Sequence, residues 1–127
     1  MTVLTLNSEA DLEQVLSEND TVIIDFWADW CPPCREFAPL FERAAQSHPE
    51  LAFCRVNSDE VKPLARAFGV QTIPTLYVVR ERILIAEQPG YMAESALDDL
   101  LKKATALNMD EVRREVESSD GESEDQI

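Results

Sequence analysis

Two cysteines separated by two residues are the side chains of this sequence best suited to chemistry. They lie in the segment Trp30-Cys31-Pro32-Pro33-Cys34. Thiolate is the reactive form of cysteine, and it can attack a disulfide or bind a metal ion. The spacing lets Cys34 close back onto Cys31 within one helical turn. The pair therefore indicates either thiol–disulfide exchange or half of a zinc site.

The flanking elements predict how the pair is positioned. The apolar run at 22–27 is typical of a buried strand. The apolar residues after the cysteines recur at the spacing of a buried helix face, at Phe37, Leu40, Phe41, Ala44 and Ala45. Cys31 then stands at the N-terminus of that helix, where unpaired N–H groups and the positive end of the helix dipole favour an anion. We expect this position to favour the thiolate form of Cys31.

A zinc site would need two ligands besides the cysteine pair. The remaining candidates are Cys54 and His48, and they do not repeat the spacing of a second ligand pair. The sequence therefore favours redox chemistry, and we expect no bound metal. Cys54 lies in an apolar strand, where a buried and inert thiol is the simpler interpretation and a redox-sensing or dimer-forming thiol the alternative.

One carboxylate interrupts the apolar strand before the pair. Asp25 stands between Ile24 and Phe26, and a charge among such neighbours costs free energy unless it is neutralised or paired. Asp25 is either on the outer face of an alternating strand or a buried acid whose pKa is raised by desolvation.

Several motifs taken together resemble the thioredoxin family. They are Asp25-Phe26-Trp27-Ala28, Trp30-Cys31-x-x-Cys34, Ala38-Pro39 and Ile73-Pro74-Thr75. The similarity runs from about Thr2 to Ala104. It implies an α/β thioredoxin fold, with a central mixed β-sheet of about five strands flanked by about four helices. The first three strands would be parallel through helical crossovers, and the last two would form an antiparallel hairpin.

The resemblance implies roles for the residues around the cysteines. Asp25 would lie beneath Cys34 and exchange a proton with its thiol. Trp27 would pack below the disulfide, and Trp30 would flank the groove where a partner docks. Arg55 stands where the family commonly has a lysine close to the buried aspartate, and arginine stays charged wherever it is placed. An outward-facing Arg55 is the alternative.

The substrate groove is also implied by the resemblance. The Ile73–Pro74 bond would be cis, and the backbone of Ile73 would pair with an extended substrate segment. Gly90 would lie at the rim, where the lack of a side chain lets a partner's backbone approach. Pro39 removes one backbone donor from the helix after the cysteines and kinks it, which is a structural role.

Two segments depart from the family pattern. Pro32-Pro33 replaces Gly-Pro. Two prolines leave no backbone donor at positions 32 and 33 and stiffen the loop, while the Cys34 N–H stays available to the Cys31 sulfur. Rigidity favours whichever redox state suits the fixed geometry, so a thiol oxidant or isomerase is an alternative to a reductase. Arg80-Glu81-Arg82 stands where thioredoxins usually have an Asn-Gly-type turn, which leaves the hairpin geometry open.

Length and charge narrow the function further. A chain of 127 residues suits one domain, and a net charge of −14 argues against nucleic acid and anionic membrane as partners. Residues 1–16 lack the basic and apolar regions of a secretory signal, and no apolar run approaches transmembrane length. We therefore expect a cytoplasmic protein, in which a Cys-x-x-Cys pair is more often catalytic than structural.

The C-terminal part of the chain differs in composition from the rest. Residues 117–127 are acidic, polar and without aromatic side chains, which predicts disorder. A short helix is possible at 110–116, with Val112 and Val116 as its apolar stripe. The predicted organisation is a thioredoxin-like domain over residues 1–105 and an acidic C-terminal extension over residues 106–127.

The predicted function is reduction of protein disulfides by a cytoplasmic thiol–disulfide oxidoreductase. Cys31 would attack a substrate disulfide, and Cys34 would then attack Cys31 and release the reduced protein. The redox-active disulfide Cys31–Cys34 replaces any bound cofactor. The partners would be disulfide-containing proteins and a thioredoxin-reductase-type flavoprotein. A binding module or co-chaperone on the same scaffold is the alternative, although the presence of both cysteines, Asp25 and Ile73-Pro74 argues against it.

Overall fold

A mixed sheet of five strands, covered by helices on both faces, forms the centre of the protein. The structure is a computed structural model that describes the backbone of residues 3–126 and the side chains of residues 3–118. Its elements in chain order are β1 (Val3–Thr5), α1 (Glu9–Glu18), β2 (Thr21–Trp27), α2 (Pro32–Ser47), β3 (Ala52–Asn57), α3 (Lys62–Ala67), β4 (Thr75–Arg80), β5 (Ile83–Pro89), α4 (Glu94–Ala106) and α5 (Met109–Gln126).

The pairing of the strands confirms the predicted fold. Their order across the sheet is β1-β3-β2-β4-β5. Strand β3 pairs in parallel with β1 and with β2, and β4 pairs antiparallel with β2 and with β5. The parallel strands are connected through α1 and α2, because a parallel pair needs a crossover rather than a tight turn.

Strand β2 positions the chemistry because it is central and buried on both faces. Val22, Ile24 and Phe26 belong to the core under α1 and α3, whereas Ile23 belongs to the core under α2 and α4. Successive side chains of a strand point to opposite faces, so Asp25 shares the face of Ile23. The carboxylate and the helix that begins after the cysteine turn therefore lie on the same side of the sheet.

The β4–β5 hairpin has a two-residue turn without glycine. Arg80 pairs with Ile83 across the hairpin, and the intervening Glu81 and Arg82 have φ angles of 52° and 67°. Positive φ at both positions is the geometry of the tight hairpin turn that favours Asn-Gly. A tertiary hydrogen bond stabilises this turn, since the Glu81 N–H donates to the Asp20 carbonyl at 2.8 Å. The turn is thus of the tight hairpin type although it lacks glycine, while the pairing of the two strands has a register shift between Val78 and Val79.

Helix α5 is longer than the short helix predicted at 110–116. It spans Met109–Gln126, so its backbone is helical where the sequence analysis expected disorder. Its first residue is buried, and the side-chain oxygen of Asn108 accepts hydrogen bonds from the N–H groups of its first turn. Arg113 also pairs with Glu81 of the hairpin. Composition indicated too little apolar surface for order at 117–127. This cap and this ion pair support the first turns of the helix, before residue 117, and Ile127 lies outside the described residues. The division of the chain at residue 105 stays a prediction.

The turn geometry predicts opposite effects of two substitutions at Arg82. Arg82→Ala loses the exposed ion pair with Glu13 and keeps a non-glycine residue in the left-handed region, so it should leave stability unchanged or lower it by up to about 1 kcal/mol. Arg82→Gly loses the same ion pair but removes the Cβ that disfavours this conformation. We expect the glycine variant to be more stable than the alanine variant by about 1–2 kcal/mol.

Urea unfolding of the two variants measures this difference directly. Equal stabilities would show that the positive φ at Arg82 carries no strain.

Candidate active site

The cysteine turn begins helix α2 with a sulfur as its N-cap. Cys31 has the extended φ and ψ of an N-cap residue, −97° and 103°, and its sulfur accepts a hydrogen bond from the Cys34 N–H at 3.2 Å. The two cysteines form a disulfide, with their Cα atoms 5.3 Å apart. The protein is therefore in its oxidised state, and the pair closes within one helical turn as the spacing predicted.

The two prolines leave the cap with a single backbone donor. Pro32 and Pro33 are the first and second residues of α2, and neither has an N–H. An N-cap side chain normally accepts from the second or third helical residue. In this turn only the third, Cys34, can donate. The prolines therefore fix the backbone of the turn while they limit the stabilisation of a Cys31 thiolate to one backbone hydrogen bond at the cap.

Asp25 is completely buried within β2, the strand that leads into the cysteine turn. Its side chain has no solvent exposure, so the interpretation of Asp25 as a surface residue is wrong. Burial raises the pKa of Asp25 from 3.8 to about 6, and the Arg55 charge and hydrogen bond lower it only in part. Oδ1 of Asp25 has no hydrogen-bond partner within the described part of the chain. The carboxyl group can thus hold a proton near neutral pH.

Arg55 links the carboxylate to Trp27. It lies opposite Asp25 in the β2–β3 register, its Nε is 3.5 Å from Asp25 Oδ2, and its guanidinium carbon lies 4.2 Å from the centre of the Trp27 ring. A guanidinium over an aromatic face is attractive. The long separation from Oδ2 explains why the ion pair offsets only part of the desolvation of Asp25. The structure places Arg55 against the carboxylate rather than outward.

A second loop lies against the cysteines. The Ile73–Pro74 peptide bond is cis, and the carbonyl oxygen of Ile73 is 3.7 Å from the Cys31 sulfur. The Gly90 N–H donates to the carbonyl of Pro74 at 2.7 Å, and Gly90 has a φ of 85°. The fold therefore brings the Ile73–Pro74 loop next to Cys31 and Gly90 next to that loop.

Two exposed aromatic side chains lie near these segments in the chain. Trp30 is 65% exposed, and its indole N–H donates to Oδ2 of Asp59 at 2.8 Å. Tyr91 follows Gly90, is 49% exposed and makes an edge-to-face contact with Phe37. Exposed aromatic rings of this kind are suited to contact a docking partner.

Sequence reasoning missed Asp59 and Tyr91. A signal for Asp59 was present, because Trp30 follows β2 and Asp59 follows β3, and the carboxyl ends of adjacent parallel strands meet at one edge of a sheet. Tyr91 had a weaker signal, since it is the aromatic neighbour of a glycine that the family resemblance placed at the groove rim.

The remaining candidates have structural roles. Cys54 is a free, buried thiol, and burial raises its pKa to about 12, which makes it unreactive at neutral pH. Pro39 lies inside α2. Among the described residues, no three His, Cys, Asp or Glu side chains are arranged to hold a metal ion. None of the described helices is long and apolar enough to cross a membrane.

Comparison with known proteins agrees with the site. The thioredoxin family model matches residues 2–103. The chain belongs to the thioredoxin family. It is therefore a thiol–disulfide oxidoreductase of the protein-disulfide-reductase type, and Cys31 and Cys34 form its Cys-x-x-Cys redox pair.

Individual thioredoxins resemble this chain over most of its length. A thioredoxin-type protein of Streptomyces coelicolor is 44% identical over 109 residues, which cover 86% of this chain and 81% of that protein. Thioredoxin 1 of Plasmodium falciparum is 31% identical over 104 residues, 82% of this chain and 99% of that one. The solved structure of a mutant thioredoxin from Halobacterium salinarum superposes with a TM-score of 0.78 at 36% identity, over 84% of this chain and 93% of that chain.

The burial of Asp25 predicts a pH-dependent gain in stability on substitution by Asn. Below its ordinary pKa of 3.8 the carboxyl group is protonated in both states, and ionised Asp25 costs nothing. As pH rises from 3.8 to the folded value of about 6, the unfolded state ionises first and the folded state loses stability. That difference corresponds to roughly 3 kcal/mol. Asp25→Asn should therefore be more stable than wild type by about 2–3 kcal/mol at pH 8, with little gain at pH 4.

Denaturant unfolding at the two pH values measures this gain. Asp99→Asn is a matched control, because Asp99 is exposed on α4 and its substitution removes no buried charge. A less stable Asp25→Asn at pH 8 would show instead that Arg55 keeps the carboxylate ionised and that the buried charge is stabilising.

Proposed function

We propose that Cys31 is the nucleophile and Cys34 the resolving thiol in the reduction of protein disulfides. The observation that carries this assignment is the asymmetry of the pair. The Cys31 sulfur is the N-cap of α2 and accepts the Cys34 N–H at 3.2 Å, whereas Cys34 is the third residue of the helix. Both cysteines are buried in the oxidised protein, Cys31 with 2% exposure and Cys34 with 0%, so the asymmetry lies in the cap and not in burial. A hydrogen bond and a helix N-terminus stabilise a thiolate at Cys31 and not at Cys34.

The first step is attack of the reduced protein on its substrate. The Cys31 thiolate forms a bond to one sulfur of the substrate disulfide, and the substrate S–S bond breaks. The other substrate sulfur leaves as a thiolate and takes a proton from water. Trp30, Ile73 and Gly90 are proposed to contact an extended segment of the substrate, with the Ile73 backbone pairing by strand addition. The closeness of the Ile73 carbonyl to the Cys31 sulfur, 3.7 Å, supports this placement.

The second step needs a proton acceptor for Cys34. Its thiol must lose a proton before its sulfur attacks Cys31, which releases the second substrate sulfur and forms the Cys31–Cys34 disulfide. We assign the acceptor role to Asp25, whose pKa of about 6 suits proton transfer near neutral pH. Trp27 and Arg55 support this carboxylate. The complete reaction delivers two electrons and two protons to the substrate.

A reductant must then return the disulfide to the dithiol. We propose a flavoprotein of the thioredoxin-reductase type as this partner and the cytoplasm as the compartment. Family membership supports both. The domain of residues 1–105 would carry the whole reaction.

The two prolines favour the reducing direction over the oxidant or isomerase alternative. A strong oxidant has a stabilised reduced form, which requires many donors to the thiolate. Pro32 and Pro33 instead leave the Cys34 N–H as the donor to the cap. The turn therefore stabilises the Cys31 thiolate less than a turn with an additional N–H would.

The division of labour between the cysteines is tested by trapping. Cys34→Ser should accumulate a covalent complex with a disulfide-containing protein, because attack by Cys31 proceeds and resolution does not. Cys31→Ser should trap almost nothing, since the Cys34 thiol lacks the cap position and the backbone hydrogen bond that stabilise a thiolate. Non-reducing gels of both variants after incubation with oxidised insulin show the outcome. Equal trapping by the two would reject the assignment of the nucleophile.

The role of the prolines predicts a change in reduction potential. Pro33→Ala restores the N–H of the second helical residue, one of the two positions that donate to an N-cap side chain. A second donor should stabilise the thiolate and raise the reduction potential by about 30 mV. Pro32→Ala is the control, because the first helical N–H does not reach the cap, and its effect should be smaller.

Redox titration against glutathione buffers measures both potentials. A larger shift for Pro32→Ala than for Pro33→Ala would show that chain stiffness, rather than the number of donors, sets the potential.

A further inference from the structure

An apolar groove lies outside the redox site, between the start of β5 and helix α5. We call it the β5–α5 groove. It has a volume of about 450 Å³, and its lining includes Leu84, Ile85, Leu107, Val112 and Val116. A smaller cleft of about 130 Å³ shares Ile85 and Leu107 with it and extends the apolar surface toward α4. Leu84, Leu107 and Val116 are 48%, 42% and 38% exposed, although a soluble domain normally hides such neighbouring side chains.

The walls of the groove are fixed by specific contacts. Arg80 donates hydrogen bonds to the last carbonyls of α4 and to that of Leu107. Arg113 pairs α5 with the hairpin through Glu81, and Met109 is buried at the start of α5. These contacts hold α5 beside β5 at an edge of the sheet. The groove is thus a defined concave surface between two anchored elements.

One wall belongs to the part of the chain beyond the family's shared domain. The family model ends at residue 103, whereas Leu107 and the whole of α5 follow it. The redox chemistry described above uses none of the groove residues. The reaction at the cysteines therefore does not explain why the β5–α5 groove has an exposed apolar surface.

Charge identifies the kind of occupant that the groove fits. Glu115 lines it, and Glu111 stands one helical turn before Glu115, so that an acidic row lies beside the apolar row of Val112 and Val116. The protein as a whole has a net charge of −14. A second copy of this chain would bring like charges together at the groove, which disfavours association. A segment with apolar side chains and a row of lysines or arginines complements both rows.

We propose that the β5–α5 groove is a docking surface for a basic amphipathic segment of a partner protein. The groove is remote from the redox pair along β5, because Ile83 starts the strand while Gly90, after its end, contacts the Pro74 loop. Six residues of strand correspond to roughly 20 Å. A partner bound in the groove leaves the disulfide open, so the protein can hold one partner while it reduces a disulfide in the same or another protein.

The proposal is tested with three labelled peptides of equal length. The first alternates blocks of leucine and lysine at helical spacing, the second has serine in place of each leucine, and the third has glutamate in place of each lysine. Fluorescence anisotropy of the full chain should show the first peptide binding at least tenfold more tightly than either control. Equal binding of the serine and leucine peptides would mean that charge alone attracts them, and would overturn the proposal.

Substitutions locate the binding surface. Leu84→Ser should weaken the leucine–lysine peptide at least fivefold, whereas Leu4→Ser, a matched exposed leucine on the opposite edge strand, should not. Glu115→Lys should weaken it similarly, and Glu18→Lys on α1 should not. Equal effects of test and control variants would overturn the assignment to the groove. A different result would assign the groove to a second copy of this chain instead. In that case wild type would not bind the leucine–lysine peptide, would self-associate in sedimentation experiments, and would lose this self-association on Leu84→Ser.

Insulin reduction separates this proposal from the redox function. The groove variants should reduce insulin at the wild-type rate, because they leave the cysteine turn intact. Slower reduction by Leu84→Ser and Glu115→Lys alike would mean that the groove belongs to the redox site and that the two surfaces are not independent.

Discussion

The hydrogen bond from the Cys34 N–H to the Cys31 sulfur is the interaction on which the site depends. It makes a reactive side chain the cap of a sixteen-residue helix, so the geometry of α2 and the chemistry of the thiol are fixed together. A helix N-terminus has unsatisfied donors that need an acceptor, and in this protein the acceptor is the sulfur that changes between thiolate and disulfide. Pro32 and Pro33 remove the competing donors and fix φ at the first two helical positions.

The second feature of the site is a carboxyl group kept in an apolar environment. Asp25 occupies a central strand whose neighbours are fully buried, and this costs stability whenever the carboxylate is ionised. Arg55 lies close enough to moderate the cost but not to cancel it, because its guanidinium is shared with the face of Trp27. The compromise leaves a pKa of about 6, between the values of an exposed acid and of a fully desolvated one. Stability is thus given up at a position whose pKa lies near neutral pH, a combination that is common at functional sites.

The hairpin turn and the C-terminal helix contact each other at a place that the redox site does not use. Glu81 adopts a left-handed conformation in the turn while its carboxylate pairs with Arg113 of α5. The turn and α5 therefore support each other, and together with β5 they form an apolar groove that the redox reaction does not use. The Glu81–Arg113 ion pair thus connects the turn without glycine to the first turns of a helix with little apolar surface.

The sequence by itself determined the features that depend on local pattern. The apolar run of β2, the helical spacing after Cys31 and the cysteine spacing predicted a strand, a helix and a redox pair at the turn between them, because periodicity and short-range geometry are local properties of the chain. The fold class and the family followed from the resemblance of several motifs to thioredoxins. The possibility that Asp25 is buried was likewise visible as a charge in an apolar strand.

Only the tertiary structure decided which residues from distant segments meet. It placed Asp59 against Trp30, Arg55 between Asp25 and Trp27, and Ile73 beside Cys31. It also extended α5 through residues for which composition indicated disorder. These outcomes depend on the register of β3 against β2 and on ion pairs between elements far apart in the chain. Such pairings leave no periodic trace in the sequence, since their free energy exists only once the sheet has brought the partners together.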